Sequence, residues 1–413
     1  MKKPRRDLPD VGWSAAKTGP RKPFRRAARF VLRGCGVLKG LLRNCGFLTD
    51  QQNMDDAKAG RLADLLQNVS ESRSLVRAAE YHGVRGYLQE FKDVWETLSE
   101  PEMELKDNQR YRVEQSAFAL KVAGFQEIVG SVLSSGGIRF LGLKGLSLSQ
   151  LLYGDICRRE FGDLDLLIAP EDALRAIKLL EDEGFVRTYP NGFSPSQDLA
   201  LVRYGKAQNL FRKASSLSLD LHWRLVSSWI GDDLYPFEDL WKRSRELTRQ
   251  GMTPWRTLGA EDTLVFLALH GFQDGFPRLK QLLDLSQAHD RLDYNLEKAL
   301  QIAGPRAALL ERALELVSGL LGSGESSSDS RDCWLHMATK DRTPQSDLLR
   351  LEYWSCSVPE ALRRSMKAMM TPALDDIASL SLPSPIIGLY PLVRAFRLIK
   401  KAWERTRGKR TLP

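Results

Sequence analysis

The sequence predicts an α+β fold: a small mixed β-sheet core flanked by helical segments, with a mainly helical region after it. Three features lead to this. Residues 54–135 carry apolar side chains at mostly helical spacing. Residues 136–258 hold short apolar runs separated by glycine- and serine-bearing turns, the pattern of strands. Residues 259–320 return to helical spacing. At 413 residues the chain is longer than one typical domain, so two or three are expected. Its 43% hydrophobic and 27% charged content is that of an ordinary globular protein.

Residues 1–45 form a basic N-terminal extension. Its first 23 residues are rich in Pro, Gly, Lys and Arg without apolar periodicity, and are expected to be disordered. Phe30, Val31, Val37, Leu38, Leu41 and Leu42 among arginines suggest a basic amphipathic helix, weakened by Gly34, Gly36 and Gly40. The segment lacks the long apolar centre and cleavage site of a secretory signal, whereas an organellar transit peptide stays open. Helix is then expected around Leu62, Leu65 and Leu66, around Val94 and Leu98, and in a long run from Leu105 to Leu133. Ser134-Ser135-Gly136-Gly137 ends that run, and a strand over 138–143 follows. A short helix after Gly145 would carry Leu148, Leu151 and Leu152. A strand at 163–168 comes next, then a helix from Pro170 to Glu183 closed by Gly184. Phe185–Thr188 reads as a further strand, and Asn209–Arg212 with Leu217–Leu225 as a hairpin. Leu264, Phe266, Leu267, Leu282, Leu283 and Leu285 mark the helical domain at 259–320. A Gly/Ser linker spans 321–331, and residues 332–413 form the helical C-terminal region with a basic tail, broken over 383–391 by prolines.

The net charge of +9 is unevenly placed. Residues 1–45 hold thirteen Lys/Arg against Asp7 and Asp10, so the rest of the chain is close to neutral. The last twenty residues turn basic again, with eight Lys/Arg opposed only by Glu404. In the C-terminal segment from residue 390, Tyr390, Leu392, Val393, Phe396, Leu398, Ile399 and Trp403 accompany the charges. Such a helix either lies on an anionic membrane or docks its apolar residues on the helical domain and leaves the charges in solvent. No run of apolar residues is long enough for a spanning helix. Five scattered cysteines without Cys-x-x-Cys spacing argue against zinc or a disulfide framework and suit a reducing cytoplasm, with peripheral membrane contact as the variant.

Chemistry is concentrated at three places. An apolar strand ends at Lys144-Gly145; Asp163-Leu164-Asp165 opens a second strand; Leu219-Asp220-Leu221-His222 lies on a third. Side chains at i and i+2 of a strand point the same way, so Asp163 and Asp165 can share one cation. Oxygen ligands of this kind suit Mg²⁺ (or Mn²⁺) completed by substrate phosphates. Asp220, flanked by leucines, projects away from the core side, either towards that cation or to a salt bridge with Arg203 or Arg212. A glycine at 145 lets backbone N–H groups approach a phosphate, and equally serves an ordinary strand-to-helix turn.

These residues resemble the DNA polymerase β-like nucleotidyltransferase superfamily and, more narrowly, a bacterial family of uncharacterised nucleotidyltransferases. The resemblance covers roughly residues 110–290. It departs from the superfamily's Gly-Gly or Gly-Ser turn in having Lys144-Gly145, the form of the narrower family. It implies metal-dependent transfer of NMP from an NTP, ATP among them, to a hydroxyl acceptor on a small molecule, protein or RNA. Asp163, Asp165 and Asp220 would hold the metal, with Asp220 also taking the acceptor proton. Lys144, Gly145 and Arg159 would bind the nucleotide's phosphates, with Arg158 left at the surface. His222, His270 and Asp284 would be accessory, the last two serving equally to tie helices together. The rival reading is a non-catalytic module of this fold that holds a membrane surface or nucleic acid through its basic ends.

Overall fold

In the computed structural model of the chain the described residues are 58–59, 72–88, 91, 101–189, 191–227, 235–321 and 358–408. The basic extension at 1–45, the helices expected around Leu62 and around Val94 and Leu98, and the linker at 322–331 lie outside them. The architecture is α+β, as the sequence predicts.

Two short helices, α1 (Ser72–His82) and α2 (Arg85–Leu88), precede the 35-residue α3 (Pro101–Ser135). As predicted, α3 ends at the glycine pair: Gly137 takes φ +67°, and the Ile138 N–H bonds back to the Leu133 carbonyl. The core then runs β1 (Phe140–Gly142), α4 (Gly145–Tyr153), β2 (Leu164–Ile168), α5 (Ala173–Asp182) and β3 (Phe185–Arg187). The helix predicted from Pro170 begins as a 3-10 turn, Pro170–Asp172, and becomes α-helical at Ala173. It continues with α6 (Pro195–Tyr204), β4 (Ala207–Arg212), β5 (Leu217–His222), α7 (Phe237–Arg243), β6 (Arg245–Leu247) and β7 (Trp255–Thr257). The sequence pattern marks neither α6, which a Ser194 capping box starts, nor the three-residue strands β6 and β7. Strand β5 stops short of the predicted Leu225, because Trp223 turns to bond the Lys206 and Gly205 carbonyls.

The seven strands form one mixed sheet in the order β3-β4-β5-β2-β1-β7-β6. Strands β2 and β5 are parallel, with Asp165 opposite Asp220. The period-two alternation sends Leu164, Leu166, Leu219 and Leu221 to one face, where they pack with Phe125, Val129 and Leu133 of α3 and Ile177 of α5. On the other face lie Asp165, Leu167, Asp220 and His222. Leu167 there joins a second core with the helical domain: α8 (Ala260–Asp274), α9 (Leu279–Arg291), α10 (Leu296–Ala303) and α11 (Ala307–Leu321). The sheet therefore separates an all-apolar face from one that carries carboxylates towards α8 and α9.

The C-terminal helices are α12 (Val358–Met370), α13 (Leu374–Ser379) and α14 (Tyr390–Gly408). They sit on α6 rather than on the helical domain: Ile377, Tyr390 and Val393 pack with Ala200, and Gln197 donates to the Ile377 carbonyl at 2.9 Å. The expectation that the apolar residues of α14 dock on the helical domain and leave its charges in solvent is corrected: Tyr390 and Val393 dock beside α6 instead, and only some of the charges, Lys400 and Lys401 among them, face solvent. Arg394 and Arg397 turn inward to the fully buried Asp376, while Leu392, Phe396 and Ile399 are exposed. A buried carboxylate needs a cationic partner more than the exposed leucine needs a core, and that sets the helix's rotation. Among the described residues one stretch, Asp107–Ser135, is apolar and long enough by composition to cross a membrane. Its Phe125, Val129 and Leu133 are core residues beneath the sheet.

Candidate active site

A cavity of about 250 Å³ opens between the carboxylate face of the sheet and helices α8 and α9. Asp163 and Asp165 of the β2 segment line it, and β5 runs alongside β2. Asp165 is nearly fully buried in the middle of β2, Asp163 is half-buried just before the strand, and Asp220 lies beside Asp165 through the parallel register. Ligand-capable atoms of Asp165, Asp220 and His222 lie within 4.8 Å of one another. Asp163 shares their field. Burial, followed by the charges of Asp165 and Asp220, pushes its carboxyl up to about 6. Burial pushes Asp165 up as well, but hydrogen bonds from His222 and Lys144 outweigh it and hold this carboxyl below the usual range.

Each carboxylate has a distinct support. His222 Nε2 lies 3.3 Å from Asp165 Oδ1, and its buried Nδ1 has no partner among the described residues. Asn209, opposite Asp220 on β4, donates its amide to Asp220 Oδ1. The expected alternative, a salt bridge from Asp220 to Arg203 or Arg212, is absent among the described residues. Lys144 Nζ lies 3.3 Å from Asp165 Oδ1 and 3.1 Å from His270 Nε2. Burial, then Lys144 and Lys206, depress His270 well below its ordinary value, so the ring is neutral and its Nε2 accepts from Lys144. Its Nδ1–H then faces Asp274 Oδ2 at 3.3 Å, which gives a chain from Asp274 through His270 and Lys144 to Asp165.

Gly145 opens α4 at φ +52°, and a Cβ there would stand 3.0 Å from the Asp163 carbonyl oxygen. Glycine at this position thus allows both the left-handed turn and the close approach of α4 to the start of β2. Arg159 lines the cavity but is buried, its Nε donating to both oxygens of Asp284 at 2.9 and 3.0 Å. Tyr153 adds a hydrogen bond to Asp284 at 3.2 Å. Arg158, predicted at the surface, is instead half-buried, with its guanidinium 5.6 Å from the centre of the Tyr87 ring. The planar cation finds an aromatic face beneath the loop, which the sequence does not reveal.

Sequence reasoning missed Lys206, Asn209, Asp274, Arg278 and Lys280. Lys280 and Arg278 line the cavity, and Lys280 Nζ donates to the Glu160 carbonyl at 3.1 Å. Burial, then Arg159, brings the Lys280 ammonium down to about 8. Burial and Lys144 also lower Lys206. A signal for two of them was present: Lys280 precedes Asp284, and Asp274 follows His270, by four residues on one helix face.

The donor set is two carboxylates and an imidazole with a third carboxylate beside them. It fits a divalent cation, because burial and then the charges of Asp165 and Asp220 raise Asp163, and a bound cation would relieve both.

A crystal structure of an antigenic nucleotidyltransferase-like protein from Paracoccidioides brasiliensis is similar at 17% identity and a TM-score of 0.31, covering 51% of this chain and 96% of that one. No curated protein matches the chain. Residues 69–321, more than half of the sequence, match the family described as uncharacterised nucleotidyltransferase. The chain belongs to that family.

Proposed function

We propose that the protein is a Mg²⁺- or Mn²⁺-dependent enzyme of the DNA polymerase β-like superfamily. It transfers an NMP group from an NTP such as ATP to a hydroxyl acceptor and releases pyrophosphate. The observation that supports this most is the in-register pairing of Asp165 with Asp220 on the carboxylate face of the sheet, with Asp163 in the field of both charges. These three residues, with His222 alongside, would hold the cation. When bound, it supplies Lewis-acid polarisation of the α-phosphate and charge compensation for the leaving pyrophosphate.

The chain's own residues do the rest. Lys144, Arg278 and Lys280 gather positive charge at the cavity, with Lys206 in the field of Lys144 and Asp165, and these are the proposed partners of the β- and γ-phosphates. Arg159, fixed by Asp284, is the proposed clamp on phosphate oxygens. Asp220, oriented by Asn209, takes the acceptor's proton on a carboxylate oxygen. As it does so, the acceptor oxygen bonds to the α-phosphorus and the bridging bond to the β-phosphate breaks. The scattered cysteines remain in keeping with a cytoplasmic enzyme.

The test is incubation with α-phosphate-labelled NTPs, Mg²⁺ and cell extract, followed by identification of what becomes labelled. The double variant D163N/D165N should lower transfer by about 100-fold or more, since it removes anionic ligands without changing volume. Transfer within about tenfold of wild type would exclude the assignment. Nucleotide binding that is indifferent to Mg²⁺ and Mn²⁺ would favour the non-catalytic module.

A further inference from the structure

Helices α12 and α14 pack against one another, and the Arg394 Nε donates to the Met369 carbonyl at 3.4 Å. Each presents an apolar stripe to solvent. On α14 it is Leu392, Phe396 and Ile399; on α12 it is Leu362, Met366 and Met369. Both sets follow i, i+4, i+7 spacing, so each occupies one narrow helix face. All six side chains are between 54% and 68% exposed. Scattered exposed leucines need no explanation, but aligned stripes on two contacting helices do.

The charges around the stripes select the occupant. Residues 358–413 contain eleven Lys/Arg and four Asp/Glu. Two of those acids are already engaged within the fold: Asp376 by Arg394 and Arg397, and Asp375 by Tyr189 at 2.6 Å. Lys367, Lys400 and Lys401 are exposed on the same two helices. A second copy of this face would bring like charges together in a two-fold contact. The chain's own amphipathic segment at 24–45 is strongly basic too and would be repelled in the same way. A surface that is negative at its rim and apolar beneath suits both features at once.

We infer that the α12–α14 face is a docking surface for an anionic lipid bilayer, with Phe396, Ile399 and Met366 entering the headgroup–acyl boundary and the lysines contacting lipid phosphates. The face is separate from the catalytic cavity, so this holds whether or not the nucleotidyl-transfer reading does.

Co-sedimentation of the full chain with phosphatidylcholine vesicles, with and without phosphatidylglycerol, tests it. Wild type should bind the phosphatidylglycerol vesicles far better than pure phosphatidylcholine, and less so as salt rises. The double variant F396E/I399E should lose at least about tenfold in partitioning, and M366E on the neighbouring helix should weaken it independently. Thermal melts matching wild type would show that both variants remain folded. Absence of wild-type binding, or unchanged binding by both variants, overturns the inference. So does a wild-type dimer that F396E/I399E disperses without any vesicle binding, since the face would then join two copies of the protein.

Discussion

Asp220 shows how much one residue's surroundings can say. Its sequence neighbours, Leu219 and Leu221, are enough to place it on the face opposite the core, and they are indeed fully buried on the other side. What they do not reveal is Asn209, which reaches it only because β4 pairs with β5 in a register that sets the two residues opposite. That hydrogen bond fixes one carboxylate oxygen, and the proposed proton transfer would use the other. Replacing Asp220 with Asn keeps volume but removes the basic oxygen and places two amides face to face. Turnover should fall by about 100-fold or more, while NTP affinity measured by calorimetry should change much less. If affinity collapses while bound NTP still turns over normally, Asp220 serves ground-state binding instead. His222 is a complementary case: its position on the carboxylate face was readable from the i, i+2 spacing to Asp220, but its partner Asp165 comes from another strand.

At the scale of elements, α9 closes the site by giving Asp284 to Arg159 and Lys280 to the loop at Glu160. Arg159 and Asp284 are 7% and 2% exposed, so neither charge can be left alone. Truncating Asp284 to Ala should cost about 3–5 kcal/mol in urea unfolding, because a guanidinium stays buried without its counter-ion. The paired replacement Arg159→Met with Asp284→Leu should recover most of that stability. Activity separates the clamp proposed for Arg159 from a purely structural ion pair with Asp284: a mere tie between core and helix would leave the paired variant active, and a phosphate clamp would leave it stable but inactive. Strands β2 and β5 and helices α3, α8 and α9 were legible because each carries enough residues to display a period. Strands β6 and β7 span three residues each, too few to show alternation, and their place at the sheet edge is set by β7 pairing with β1 across more than a hundred residues, with β6 pairing to β7. The rotation of α14 was illegible for another reason. An amphipathic pattern defines two faces but not which one finds a partner, and here the buried Asp376 decides it.

For the whole molecule, the sheet acts as a partition between two cores, and the site exists because one of its faces is shared by strand carboxylates and the helical domain. The order helical segment, sheet, helical domain was readable from the sequence, but the wrapping of α1 back onto α9 was not, since the contacting residues lie almost two hundred positions apart. At that contact the Leu279 N–H donates to His82 Nδ1 at 3.4 Å. The acceptor role requires a neutral ring. Burial, followed by the nearby Arg278, brings His82 from its ordinary 6.5 down to about 4. The unfolded chain therefore binds a proton between these values that the folded one does not. The contribution of His82 is complete above about pH 6.5 and is lost progressively as pH falls towards about 4, at most about 3 kcal/mol. In His82→Asn the side-chain oxygen can replace Nδ1 as acceptor and carries no titrating group. Urea unfolding of wild type and variant should therefore give stabilities that diverge as pH falls from about 7 to about 5, with wild type losing more. Other groups titrate identically in both proteins and cancel in the difference. A difference that stays flat over that range would mean that His82 is protonated in the folded protein and that its contact with α9 does not depend on the neutral ring.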